Sequence, residues 1–124
     1  MAWYRWIVAM GLMGCAEHGS RPTDASMDRV PCEAAYQQAL DRSCTAPAHC
    51  TLVEHDDCCG TIMVGVRTAS KAAAIAAEAT YAACFDCGAR GCAHADLAET
   101  GMVAGAGQAI VPTCVMNRCT SIVQ

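Results

Sequence analysis

Past residue 6 the chain contains no tryptophan, and only Tyr36, Tyr81 and Phe85 bring aromatic rings to the remainder. Sugar recognition by ring stacking therefore has little to build on. Basic residues are scarce as well. Lys71 is the sole lysine, and eight basic side chains face twelve acidic ones for a formal charge of −4. A chain with no basic stripe lacks the electrostatic footprint of a nucleic-acid binder. Long apolar runs are missing too: the stretch 6–13 has eight residues, against the ~20 that a transmembrane helix needs. The positive mean hydropathy comes from alanine and cysteine, not from any later lipophilic segment.

Cysteine is abundant instead. It stands at positions 15, 32, 44, 50, 58, 59, 84, 87, 92, 114 and 119, eleven in all. The first is set apart from the others. Leu12-Met13-Gly14-Cys15 closes the short apolar run, with Arg5 near the amino terminus, and this is the layout of a secretory signal peptide. The tetrad resembles the lipobox of bacterial lipoproteins. That resemblance implies cleavage before Cys15 once a diacylglycerol is attached to its thiol. Cys15 is then the lipidation site, and the membrane is the partner, reached through the lipid anchor. Ala16 follows Cys15, where an Asp would signal inner-membrane retention in such families, so the resemblance implies outer-membrane sorting.

Setting Cys15 aside leaves ten: Cys32, Cys44, Cys50, Cys58, Cys59, Cys84, Cys87, Cys92, Cys114 and Cys119. An even, dense set in an exported domain reads as a disulfide framework. Cys58 and Cys59 are adjacent and are expected to take different partners; the spacing leaves the remaining pairings open. Three parts are expected: a signal peptide over 1–14, a polar lipidated tether over 15–31, and one small domain over 32–124. Removing 1–14 takes away Arg5 and leaves seven basic against twelve acidic residues. A domain of this size with few large side chains buries too little apolar surface to hold itself firmly. Disulfides compensate by restricting the unfolded chain, typically by roughly 2–4 kcal/mol each.

The pattern predicts a small α+β domain, an antiparallel sheet of three or four strands with two helices on one side. A first helix is expected over 31–43, with Pro31 in its first turn. Cys32, Tyr36, Leu40 and Cys44 form its apolar stripe, while Glu33, Gln37, Gln38, Asp41 and Arg42 take the other side. Segments 50–55 and 61–67 read as strands joined around Asp56-Asp57-Cys58-Cys59-Gly60, with Gly65 a bulge position. A second, alanine-rich helix is expected over 70–84, with Ser70 as N-cap. On it Ile75, Ala79 and Ala82 make a narrow apolar face, and Tyr81 pairs with Phe85. Residues 86–107 are irregular and glycine-rich, a length that points to cross-linking through Cys87 and Cys92. The segment 110–123 reads as a hairpin turning near Met116-Asn117-Arg118.

Candidate chemistry is thin. Cys84-Phe85-Asp86-Cys87 has the spacing of a thiol redox motif. It lies at a helix C-terminus, however, where the dipole opposes a thiolate. Cys84, Cys87, Cys92 and His94 could supply four zinc ligands, but this set would leave an odd number of cysteines, and His94 reads more simply as a solvated loop residue. Glu54-His55-Asp56-Asp57 is the densest polar cluster. It lacks the spacing and central glycine of a calcium loop and reads as a capped, solvated turn. Gly101, Gly105 and Gly107 are not followed by the lysine of a phosphate loop. Ser70 and Ser121 lack a nucleophile motif, and nothing pairs them with His49, His55 or His94.

Cys44-x5-Cys50-x7-Cys58-Cys59-Gly60 resembles the spacing of four-disulfide-core (WAP-type) inhibitor domains. Those domains place their last two cysteines directly after the pair, whereas here an alanine-rich helix intervenes, so inhibition is not carried over. The lipobox, the Asp57-Cys58-Cys59-Gly60 step, the alanine-rich helix and the terminal Cys114-x4-Cys119 hairpin together resemble uncharacterised cysteine-rich lipoproteins of high-G+C Gram-negative bacteria. That resemblance implies location and fold but no activity. The expected function is a non-enzymatic binding or structural module on the outer membrane, without cofactor or metal and with an unknown protein partner. The alternatives are a periplasmic thiol-redox or zinc protein using Cys84, Cys87 and Cys92, or an inhibitor of secreted proteases acting through the 54–60 loop.

Overall fold

A computed structural model describes residues 25–84, 86–88 and 91–124, with the backbone alone for 25–28. Cys15, Phe85 and the expected signal peptide lie outside the described residues. The element order is α1 (Ala25–Ala39), β1 (Cys50–Asp56), β2 (Thr61–Arg67), α2 (Lys71–Cys84), β3 (Leu97–Ala98), β4 (Ile110–Val115) and β5 (Arg118–Val123). The architecture is the expected small, disulfide-rich α+β one. Strands β1, β2 and β3 form one sheet in that order, and β4 and β5 form a separate hairpin. β1 and β2 pair antiparallel, whereas the two residues of β3 add to β2 in parallel.

Alternation along β1 and β2 sets the layers. Val53, Val64 and Val66 turn to one face and pack with Ala74 of α2, and Cys32 and Tyr36 of α1 meet Ala77 and Tyr81 beside them. The opposite face receives the β4–β5 hairpin. It lies directly over Gly65, where a Cβ would stand 2.6 Å from the backbone of Thr120. Gly65 is therefore no bulge. It pairs with Leu52 in unbroken register and is glycine because the β5 backbone lies on top of it. The hairpin turns through Met116 (φ 51°) and Asn117 (φ 61°), the double left-handed geometry of a type I′ turn.

The first helix departs from expectation at both ends. It begins at Ala25, within the stretch read as tether, and Pro31 lies inside it. It ends at Ala39 rather than at 43 because the next residues are used as extended chain. Asp41 O accepts from Arg67 N (2.9 Å), Arg42 O accepts from Cys119 N (2.6 Å), and Cys44 N donates to Asn117 O (3.1 Å). These bonds join the main sheet to the hairpin, so sheet bonding overrides helix continuation. On α2 the buried residues are Ala74, Ala77 and Tyr81, not the expected Ile75, Ala79 and Ala82. A helix made mostly of alanine is apolar on every side, so the few larger side chains decide which side turns inward. Ser70 precedes the helix, but its hydroxyl donates to Asp41 Oδ2 (3.2 Å).

All ten domain cysteines are paired: Cys32–Cys84, Cys44–Cys114, Cys50–Cys119, Cys58–Cys87 and Cys59–Cys92. As expected, Cys58 and Cys59 take different partners, and their bridges tether the irregular segment after α2. Such a framework persists in oxidising compartments; the domain is an exported, non-cytoplasmic one. Among the described residues, no helix is long and apolar enough to cross a membrane.

Gly65→Ala forces either β2 or β5 to move. With all bridges intact, urea denaturation is expected to show a loss of about 2–3 kcal/mol, the upper range for overpacking. A loss below a few tenths would mean that the hairpin does not seat on Gly65.

Candidate functional site

The polar cluster 54–57 is divided by strand geometry. His55 turns inward and is only 2 % exposed, while Glu54 and Asp56 are exposed. Asp56 Oδ1 accepts from Cys58 N (2.7 Å) and Asp57 Oδ1 from Cys59 N (2.9 Å). These carboxylates cap the turn, as the sequence indicated, and this holds Cys58 at a positive φ of 71°.

Around His55 the two helices build a polar cluster over the imidazole. Nε2 lies 2.9 Å from Glu33 Oε2 and Nδ1 2.7 Å from Glu78 Oε2. Tyr36 stacks on the imidazole at 4.0 Å and 8°, and Tyr81 meets it at 4.5 Å and 51°. Glu78 Oε1 also accepts from Asp56 N (3.0 Å). Burial would raise the Glu33 carboxyl, but hydrogen bonds from Gln37 and His55, with the nearby charges of His55 and Arg29, bring it below its ordinary value. Burial and then the negative charge of Glu78 and Glu33 push the Tyr36 phenol well upward. Sequence reasoning set Glu33 on the solvent side of α1 and gave Glu78 no role. The available signal was that alternation from Val53 sends His55 under the helices, where a buried imidazole needs partners.

The other expected groups are structural as well. His94 is not a solvated loop residue. Its Nε2 lies 2.6 Å from Asp57 Oδ2, and its Nδ1 lies 2.6 Å from Ala95 O. Gly60 leaves room for the ring, since a Cβ there would stand 2.8 Å from it. Cys84 and Cys87 do not bond each other, and the sulfurs of Cys84, Cys87 and Cys92 belong to three separate bridges. Cys44, Cys50 and Cys119 bring sulfurs within 4.8 Å of one another, but each is already in a bridge. His49 Nδ1 contacts Thr45 (3.1 Å to Oγ1). Ser121 is fully buried; its hydroxyl donates to Met63 O and accepts from Glu99 N. Glu99 also accepts from Gly65 N and Ser121 N and pairs with Arg42, so Arg42 is an interior cation rather than a solvent-facing one.

A groove runs along β1. It measures about 620 Å³ and is lined by Leu52, Val53, Glu54, Met63, Lys71, Ile75, Glu78, Ala79 and Ala82. The apolar face Ile75, Ala79 and Ala82, expected to be core, lines this groove instead, and Ile75 is 56 % exposed. A second hollow of about 440 Å³ shares Leu52 and Met63 and continues to Val103 and Ile110. Among the described residues, neither hollow holds a nucleophile paired with a base.

No family model matches the chain, and no curated protein and no solved structure matches it.

Replacing His55 with alanine strands two carboxylates beneath Tyr36. The expected cost is about 2–4 kcal/mol, less than for a fully buried pair because both carboxylates are partly exposed. Urea denaturation of the oxidised protein measures it. A cost near the ~0.5 kcal/mol of a neutral surface change would remove His55 from the core's supports.

The His94–Asp57 contact carries a pH signature. The backbone bond to Ala95 O and the contact with Asp57 raise His94 above its ordinary 6.5. Burial acts upward on Asp57, but its bonds to His94, Cys59 and Gly60 bring it below 3.8. The contact therefore contributes in full between those two ordinary values. It is lost as pH rises through the raised value of His94, or falls through the lowered value of Asp57. NMR titration of the His94 ring is expected to give a midpoint above 6.5 that drops in Asp57→Asn. An unchanged midpoint in that variant would disprove the coupling.

Proposed function

We propose that the chain is a bacterial lipoprotein, anchored through Cys15 to the outer membrane, whose disulfide-stapled domain is a non-enzymatic binding module. The observation that carries this reading is the division of sulfur. Every cysteine after residue 31 is matched within the domain, so Cys15, the residue of the lipobox, is the one left over. α1 begins ten positions after Cys15. A chain of that length spans at most about 35 Å, which keeps the domain beside the bilayer that its first residue enters.

The binding role is supported by how the polar groups are used. His55, His94, Arg42, Glu99 and Ser121 are engaged in holding elements together. The groove along β1 is a mostly apolar-lined hollow of about 620 Å³, and it rests on a strand fixed at its start by the Cys50–Cys119 bridge. Pre-formed, mostly apolar clefts with a few polar groups at the rim are the usual form of a binding site.

Intact mass of membrane-extracted protein, before and after reduction, tests the anchor and the bridges together. The expected result is a diacylated first residue and a gain of two hydrogens for each of the five bridges. Cys15→Ser is expected to remove the acyl mass and, because cleavage follows acylation, to leave residues 1–14 on the chain. Unacylated wild-type protein with titratable thiols would overturn the reading in favour of thiol or metal chemistry.

A further inference from the structure

We propose, on the reading of the domain as a binding module, that the outer edge of β1 takes an extended polypeptide segment as an added antiparallel strand, with an acidic group at that segment's C-terminal end.

The ladder shows which backbone groups are open. Asp57 N donates to Gly60 O (3.2 Å) at the turn. Bonded and non-bonded pairs alternate along an antiparallel ladder, so Asp56, Glu54 and Leu52 turn their N–H and C=O groups away from β2. Two amides agree with this phase. Asp56 N donates outward to Glu78 Oε1 (3.0 Å), and Gly65 N, opposite Leu52, donates away from β1 to Glu99 Oε2 (3.0 Å). Among the described residues, the outward backbone groups of Leu52 and Glu54 have no partner. β1 has no proline and its pairing no bulge, two of the devices that commonly block an edge.

The groove has the room and the polarity for such a strand. Added strands lie about 4.8 Å from their neighbours, and α2 offers Ala79 and Ala82 along this side with Ile75 as an apolar contact. α2 runs alongside β1 in the same sense: Thr68, just before it, bonds to His49 O, and Glu78 reaches Asp56. Lys71 thus stands at the start of β1, and Glu54 and Glu78 stand toward its end. Lys71 makes no ion pair among the described residues. An incoming strand antiparallel to β1 brings its C-terminal end to Lys71 and its N-terminal end to the two glutamates, so each terminus meets the opposite charge. A parallel strand would bring like charge to like.

The test uses the oxidised Cys15→Ser protein and phage-displayed random nonapeptides with free C-termini. Selected peptides, made synthetically, are expected to slow amide exchange at Leu52 and Glu54, to lose binding when alternate backbone nitrogens are methylated, and to bind about tenfold more weakly to Ile75→Glu, a change of one buried aliphatic contact. Selection on Lys71→Glu is expected to replace acidic C-terminal residues with basic ones. No binders above scrambled controls would overturn this inference alone, since the anchored-module reading stands or falls on the acylation and free-thiol result. Binders that protect other residues, or that tolerate N-methylation, would overturn strand addition alone. Slow exchange at Leu52 and Glu54 without peptide would also overturn it: if concentration-dependent, a second copy occupies the edge; if not, the chain's own N-terminal residues do.

Discussion

Five cross-links stand in for a large hydrophobic core. The buried apolar residues are valines, alanines, cysteines and two tyrosines; among the described residues no leucine, isoleucine or phenylalanine is fully buried. Such side chains withdraw little area from water, and small domains already bury the least. The bridges close loops as long as 70 residues (Cys44–Cys114) and 69 residues (Cys50–Cys119), which removes conformations from the unfolded chain rather than adding contacts to the folded one. Four of the cysteines are themselves core residues, so the same sulfurs fill the interior and cross-link it.

Polar groups then decide how the layers meet. His55 reaches one carboxylate on each helix, fixing α1 and α2 against β1 at once. On the other face Glu99 binds β2, β5 and Arg42 together. Buried polar contacts of this kind add little net stability, since desolvation offsets most of the attraction, but a misplaced polar group is costly. They select one arrangement among the several that an alanine-rich chain permits. The rigid frame leaves α2 offset along β1, and the gap between them is the groove that the proposed binding role uses.

Local patterns carried far in this chain. The strand patterns in 50–55 and 61–67 and the turn near Met116-Asn117-Arg118 predict strands and a hairpin that the structure contains, because strand period and positive-φ turns are short-range properties. The adjacency of Cys58 and Cys59 predicts separate partners for steric reasons, and they have them. Where local signal was weak, the reading failed. Alanine on every side of α2 hid which face is buried, and sheet bonds to Asp41 and Arg42 ended α1 early. Gly65 read as a bulge because the backbone above it comes from Thr120, 55 positions away. His55 lay in plain view among acidic residues, yet its partners come from Glu33 and Glu78, more than twenty positions to either side.

The sequence by itself determined the class of domain, the even number of domain cysteines and the expectation of an anchor at Cys15, since composition, parity and a contiguous tetrad need no folding to be read. Only the tertiary structure decided which sulfurs join, that His55 is interior, and that Ile75, Ala79 and Ala82 border an open strand edge instead of the core. Each of these depends on contacts between segments distant in the chain, and the free energy of such contacts is set by packing and desolvation that no local pattern encodes.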